Sequence, residues 1–519
     1  MRVRGALISA LALAAVPAWA QTEDTRPLSA IDWLSESVEQ PPVVGDAPVL
    51  GTQATRTPDA REAPVANSAT APQVSVQPLG SAAPRALGLL PPSATGFPDD
   101  LWSGSDGTTL GALLAAEETD TLPALQDLIV TLATARAEPP LEATMPDAFF
   151  LARVDKLLGI GALEPAQAML EAAVPDTSNL FRRWFDVSLL TGTEDAACRS
   201  LRSKPDVAPT EAAQIFCLAR SGDWAAAVLT LNTGRTLGDI DPATAELLAR
   251  FLDPDVFEGE PVPEAPRPVT PLTFRMFEAI GAALSTQNLP RAFSHADLRP
   301  NVGWKGQLEA AERLARAGAI DDNVLIGLYT SRGLGASGGV MERARTVMQL
   351  NTALKDGDPD DITQAVGALV DEAGSVGVIV PLAQFYAPQL MQFAEQSADR
   401  DLFEFLLMSD QYEVAALNDD LAQTDPFLAA VARGDPSGVT ARGTKNTTVQ
   451  DAFVTEPDAA MVAMSADGRT GEAILRTIAT VQQGVDGDDV AFAEGIATLR
   501  ALGLEDVARR VALQYLVLK

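Results

Sequence analysis

Residues 217–234 read CLARSGDWAAAVLTLNTG, and the reading of this stretch decides the fold. Leucine and alanine close one helix, and Gly222 follows. Asp223 comes next, and an alanine-rich segment resumes the helical spacing of apolar residues. Glycine suits the left-handed backbone position that ends a helix. An acid just after it suits the positive start of the next helix. Alanines at the crossing let two helices approach closely. The stretch therefore predicts a helix, a tight turn and a second helix packed back on the first.

The same arrangement recurs outward in both directions. It appears as LLGIGALEPAQAMLEAA at 157–173, RLARAGAIDDNVLIGLY at 313–329 and LRALGLEDVARRVALQYL at 499–516. Between these places apolar residues fall three and four apart from about residue 121 to the C-terminus, which is the helical period. Short alternations suited to strands occur only at 74–77 (VSVQ) and 376–380 (VGVIV). The fold class predicted is all-α: an irregular α-solenoid of stacked helical hairpins. At Gly222–Ala227 and Gly503–Ala508 the pattern resembles tetratricopeptide-type repeats. The resemblance implies a helical-repeat surface. It carries over no ligand residues, because the glycines are unevenly spaced and the family's full pattern is nowhere complete.

The first twenty residues have the layout of a secretory signal peptide. Arg2 and Arg4 precede an apolar run from Ala6 to Val16, shorter than the ~20 residues a membrane-spanning helix needs. Pro17 and Ala18-Trp19-Ala20 then predict cleavage after Ala20. The mature chain is expected in the periplasm and not spanning the membrane. From 21 to 98 the chain is expected to be a disordered tether rich in proline, alanine and threonine, which cannot bury enough surface to offset its ordering entropy. Within it, Leu28, Ile31, Leu34 and Val38 fall near one helical stripe with Trp33 beside it, over 28–38. This is the pattern of a peptide that folds into a partner's groove. ALGLL at 86–90 is a second apolar patch of that kind. Two helical domains are expected, at 99–252 and 273–519. They are joined by a linker at 253–272 with six prolines, and a second irregular loop is expected at about 434–458.

Charge and composition exclude more than they assign. The formal net charge is −32, and removing the signal peptide, with two arginines and no acid, leaves −34. Such a surface repels nucleic acid and anionic membranes, and it favours cations or basic partners. The single histidine, His295, rules out a histidine-rich metal site. It lies in RAFSHADLRPNVGW (291–304) near Asp297, Arg299 and Trp304, the first place to look for hidden catalysis. GLGASG at 333–338 matches G-x-G-x-x-G without the buried strand and the βαβ acidic residue that a nucleotide-binding turn needs. DGDPDD at 356–361 and DGDD at 486–489 lack the glycine and glutamate of a calcium loop, and Asp360 or Asp361 is expected to cap a helix instead. The only Glu-Ser pair, Glu36-Ser37, lacks the surroundings of a lytic transglycosylase site. Phe181, Trp184 and Phe185 follow a helical face and are expected in the core. Cys198 and Cys217 lie equidistant from a turn at about 204–209, so a disulfide across their own hairpin is expected, with two free buried thiols as the alternative.

No catalytic residue, metal or cofactor is assigned. The function expected is an exported non-enzymatic scaffold or adaptor that binds a protein or envelope polymer through its helical surface. A cell-envelope hydrolase or its helical accessory domain is the alternative, and a cation-buffering acidic protein a third.

Overall fold

The computed structural model describes residues 86–141, 147–332, 338–396 and 398–518. The motif at 28–38 and residues 333–337 lie outside them. The described chain holds twenty-six α-helices, from Pro92–Thr95 to Glu505–Val517. Among the described residues there are no strands, only the isolated bridges Leu90↔Ala135 and Asp106↔Leu141.

All four glycines of the recurring pattern adopt the left-handed conformation, with φ of +94° at Gly161, +82° at Gly222, +57° at Gly318 and +85° at Gly503. In each case the next residue donates its N–H to a leucine carbonyl five positions back. The pairs are Ala162 to Leu157, Asp223 to Leu218, Ala319 to Leu314 and Leu504 to Leu499, at 2.8–3.0 Å. This is the Schellman closure, which satisfies a carbonyl the helix end leaves open. Eight of the described helix starts are closed by aspartates. Asp106, Asp223, Asp241, Asp358, Asp399, Asp425, Asp458 and Asp488 each accept a hydrogen bond from a backbone N–H in the first turn that follows. Part of the negative charge is therefore a by-product of capping.

Several expectations need correction. The cap at 356–361 is Asp358, not Asp360 or Asp361. Pro359 fixes the first helical position, so the residue before it becomes the cap, and the N–H groups of Asp360 and Asp361 donate to it. VGVIV is no strand: Gly377, at φ +74°, ends one helix and Ile379 begins the next. The loop expected at 434–458 contains the helix Thr444–Ala452, which packs through Val449 and Ala452. Its otherwise polar composition hid the helical period. ALGLL packs on its own body. The N–H groups of Leu89 and Leu90 donate to Thr134 O, and Arg153 donates to Leu87 O at 2.8 Å. The helical body therefore begins before residue 98.

Helices on either side of the proline-rich segment 253–272 are in direct contact. The Glu194 carboxylate, 1% exposed, pairs with Arg275 at 2.8 Å and with Arg220 at 3.7 Å. Arg291 donates to Thr119 O at 2.9 Å. The two ends of the body also meet. The last helix, Glu505–Val517, packs on Pro123–Thr134, and Thr470–Val485 packs on Gly107–Ala116. Gly471 N–H donates to Leu101 O at 3.0 Å.

Cys198 and Cys217 form a disulfide with Cα atoms 5.0 Å apart. It joins the helices Glu194–Ser203 and Glu211–Arg220 across the turn at Pro205–Val207. Phe181, Trp184 and Phe185 are buried, and the rings of Phe181, Phe185, Phe216 and Phe251 follow one another through the core.

A Cβ at Gly222 would meet nothing within 4 Å, so Gly222→Ala should cost only the backbone penalty, about 1 kcal/mol. A Cβ at Gly484 would lie 2.4 Å from Phe492 Cα, so Gly484→Ala should cost roughly 2–3 kcal/mol. Denaturant unfolding of both variants checks the order, and equal losses would contradict the close helix crossing. Cys198→Ser should lower stability by about 3 kcal/mol in the chain-entropy account. Mass spectrometry without reductant should find no alkylatable thiol in the wild type.

Candidate functional site

A cleft of about 680 Å³ lies at the end of the helix Gly107–Ala116. That helix stops at Glu117, whose backbone turns extended. Glu117, Glu118, Thr119 and Asp120 then cross one side of the cleft. The helix Ala148–Ile160 forms the other side with Ala152, Asp155, Lys156 and Gly159. Spacings of three and four place these four residues on one helical face.

Two buried charges meet here. Lys156 is 6% exposed, and its ammonium donates to Glu117 O at 2.6 Å and Ala115 O at 3.3 Å. It thereby caps the negative end of the helix Gly107–Ala116. Burial lowers its pKa. Glu117 is 7% exposed and receives no hydrogen bond at its carboxyl from any described residue. Burial pushes its pKa up to about 7, against the opposing pull of Lys156. The rim acids are compensated from outside. Arg183 forks onto both oxygens of Asp155 at 2.6 Å, and Arg291 lies 3.7 Å from Asp120.

A second acidic group lies where distant parts of the chain meet. Arg510, on the last helix, stands 3.1 Å from Asp410, 3.6 Å from Asp127 and 4.0 Å from Asp506. Asp322 opens the helix Asp322–Thr330. Its pKa is pushed up to about 7, first by burial and then by repulsion from Asp127, Asp321 and Asp410. No three His, Cys, Asp or Glu side chains among the described residues are placed to hold a metal ion.

The segment around His295 is structural. His295 Nε2 lies 2.7 Å from Gly161 O, which can only accept, so this nitrogen carries the proton. Burial lowers the imidazole pKa. Asp297 accepts from Thr286, Arg299 pairs with Glu278 at 2.8 Å, and Trp304 donates its indole N–H to Leu328 O at 2.9 Å. The side chains that sequence reasoning singled out here are thus occupied in joining helices.

Glu117 and Lys156 were missed. Lys156 stands beside the apolar stripe of AFFLARVDKLLGI (148–160), a cation next to core positions, and that was the available signal. Nothing marks Glu117 in sequence among so many acids. No protein-family model, no curated protein and no solved structure matches the sequence.

Glu117 and Asp322 both have folded pKa values near 7, above the ordinary carboxyl range. The folded chain therefore holds protons that the unfolded chain has released between about pH 4.5 and 7. These two groups make stability fall as pH rises through that window. Asp322→Asn should raise the melting temperature at pH 8, and by a smaller amount at pH 5, where only part of the proton difference has developed. Identical pH profiles for variant and wild type would contradict the repulsion.

Proposed function

We propose that this chain is an exported, non-enzymatic scaffold or adaptor that binds a basic protein or envelope polymer through its acidic helical surface. The observation that carries this reading is the surplus of uncompensated carboxylates on an all-helical body. Asp127, Asp321, Asp322 and Asp410 face one another with Arg510 in salt-bridge reach of only two of them. A surface of this kind attracts cationic partners and speeds their encounter. Three features support export: the signal-peptide layout of residues 1–20, a disulfide suited to an oxidising compartment, and no described helix long and apolar enough to cross a membrane. The periplasm is the compartment proposed, and the tetratricopeptide-type likeness of the hairpins belongs to the same reading. In this view residues 28–38 dock on a further partner.

The alternative is an envelope hydrolase or its helical accessory domain. The acids lining the cleft favour it, since burial brings the Glu117 pKa to about 7, within the range a general acid needs. Zymography on peptidoglycan separates the two readings.

Crosslinking in cells followed by mass spectrometry should return a basic partner. Its recovery should fall in 0.5 M salt, where the Debye length is roughly half its physiological value, and on deletion of residues 21–80, which leaves the packed segment from 86 onward intact. Helical circular dichroism should be unchanged by the deletion. A partner list indifferent to both treatments would overturn the scaffold reading.

A further inference from the structure

We infer that the cleft between Glu117 and Gly159 is a binding site for an organic cation, a primary ammonium or guanidinium group carried by a small amine or by a lysine or arginine side chain. Three features of the cleft point to a cation. Glu117 is a carboxyl with 7% exposure that lines the cleft and has no donor among the described residues. Its oxygens are reached from the cleft rather than sealed in the core, so a ligand N–H entering the cleft can supply the donor. The C-terminal end of the helix Gly107–Ala116 opens on the same side, and its dipole favours positive charge. Lys156, the one cation among the lining residues, already donates to the carbonyls of Ala115 and Glu117.

An anion would fare badly in this place. It would face Glu117, Glu118 and Asp120, while Arg183 and Arg291 are turned to the outer acids Asp155 and Asp120. The walls are small, formed by Ala115, Ala152 and Gly159, so an alkyl stem has room and apolar contact. A Cβ at Gly159 would come no closer than 3.7 Å to Thr119 Cγ2, so this position is open for a side chain that fills the mouth of the cleft. Binding here is independent of whether residues 28–38 dock on a partner.

Isothermal titration of the mature chain, residues 21–519, in physiological salt tests the site with two probes: pentylamine, and the peptide Gly-Gly-Lys-Gly-Gly. Saturable binding of either supports the site. Binding of pentylamine alone assigns it to a free amine, and binding of the peptide assigns it to a protein side chain. Glu117→Gln should weaken binding at pH 8 at least tenfold. Gly159→Leu should do the same by filling the cleft, and leucine is the better helix former, so the fold is preserved. Wild-type affinity should fall from pH 8 to pH 6 as Glu117 takes up its proton, whereas the Glu117→Gln variant should show no such dependence. The double variant D360N/D361N removes two charges elsewhere and should bind as the wild type does. The inference is overturned if neither probe saturates, or if D360N/D361N weakens binding as much as Glu117→Gln.

Discussion

The structure depends on how the two ends of the helical body cover each other. A stack of hairpins leaves an uncovered apolar face at each end, and each such face needs a polar cap or a partner. Here the helix Pro123–Thr134 near the start meets Glu505–Val517 at the end. The first of these has no side-chain cap of its own. Gln514, 2% exposed on the last helix, supplies one by accepting the Ala124 N–H at 2.8 Å. One buried amide thus satisfies an orphan backbone donor nearly four hundred residues away in sequence and fixes the register of the closure. Apolar burial drives the ends together, and this bond selects one arrangement.

Arg153 plays the matching part at the other end of the helix Pro123–Thr134. It is buried with no acidic partner among the described residues, and its guanidinium donates to Ala133 O at 2.7 Å, Ala135 O at 2.6 Å and Leu87 O at 2.8 Å. Burial brings its pKa down to about 10, so it remains charged at neutral pH. It gathers carbonyls that a helix end would otherwise leave unpaired, and it ties residues 86–90 to the body. Arginine suits this role because its planar fork reaches several acceptors at once.

Legibility in the sequence followed the range of the interactions. The helical hairpins were readable because their causes are local: a period of three and four, a glycine that can take positive φ, an acid at the next helix start. The pairing of Cys198 with Cys217 was readable for the same reason, since both lie in one hairpin. The closure of Gln514 on Ala124 was not readable, nor was the bond from His295 to Gly161, because nothing local in either sequence marks its partner. The proline-rich segment at 253–272 suggested a boundary, yet no local feature announces that Glu194 and Arg275 meet across it. Glu117 is the clearest case. Its altered acidity comes from the packing around it, and the letters EE at 117–118 are the same whether that carboxyl is buried or free.

Acidity in this chain therefore has two physically different sources. Aspartates at helix starts are stabilised by backbone N–H groups and the helix dipole. Hydrogen bonds from the Thr244 hydroxyl and from backbone N–H groups hold the Asp241 carboxyl below its usual range. Glu117 and Asp322 are held in the opposite sense, buried or crowded by other acids. Charges of the first kind follow from building a fold out of many short helices, each needing a cap. The second kind has no such origin, because a helix gains nothing from a carboxyl that burial or neighbouring acids keep from ionising. Unfavourable placements persist where surrounding structure or a ligand compensates them, which is why perturbed acids concentrate at working sites. By that criterion the places to look for function on this surface are the cleft at Glu117 and the junction at Asp322, and the many aspartates that end its turns are set aside.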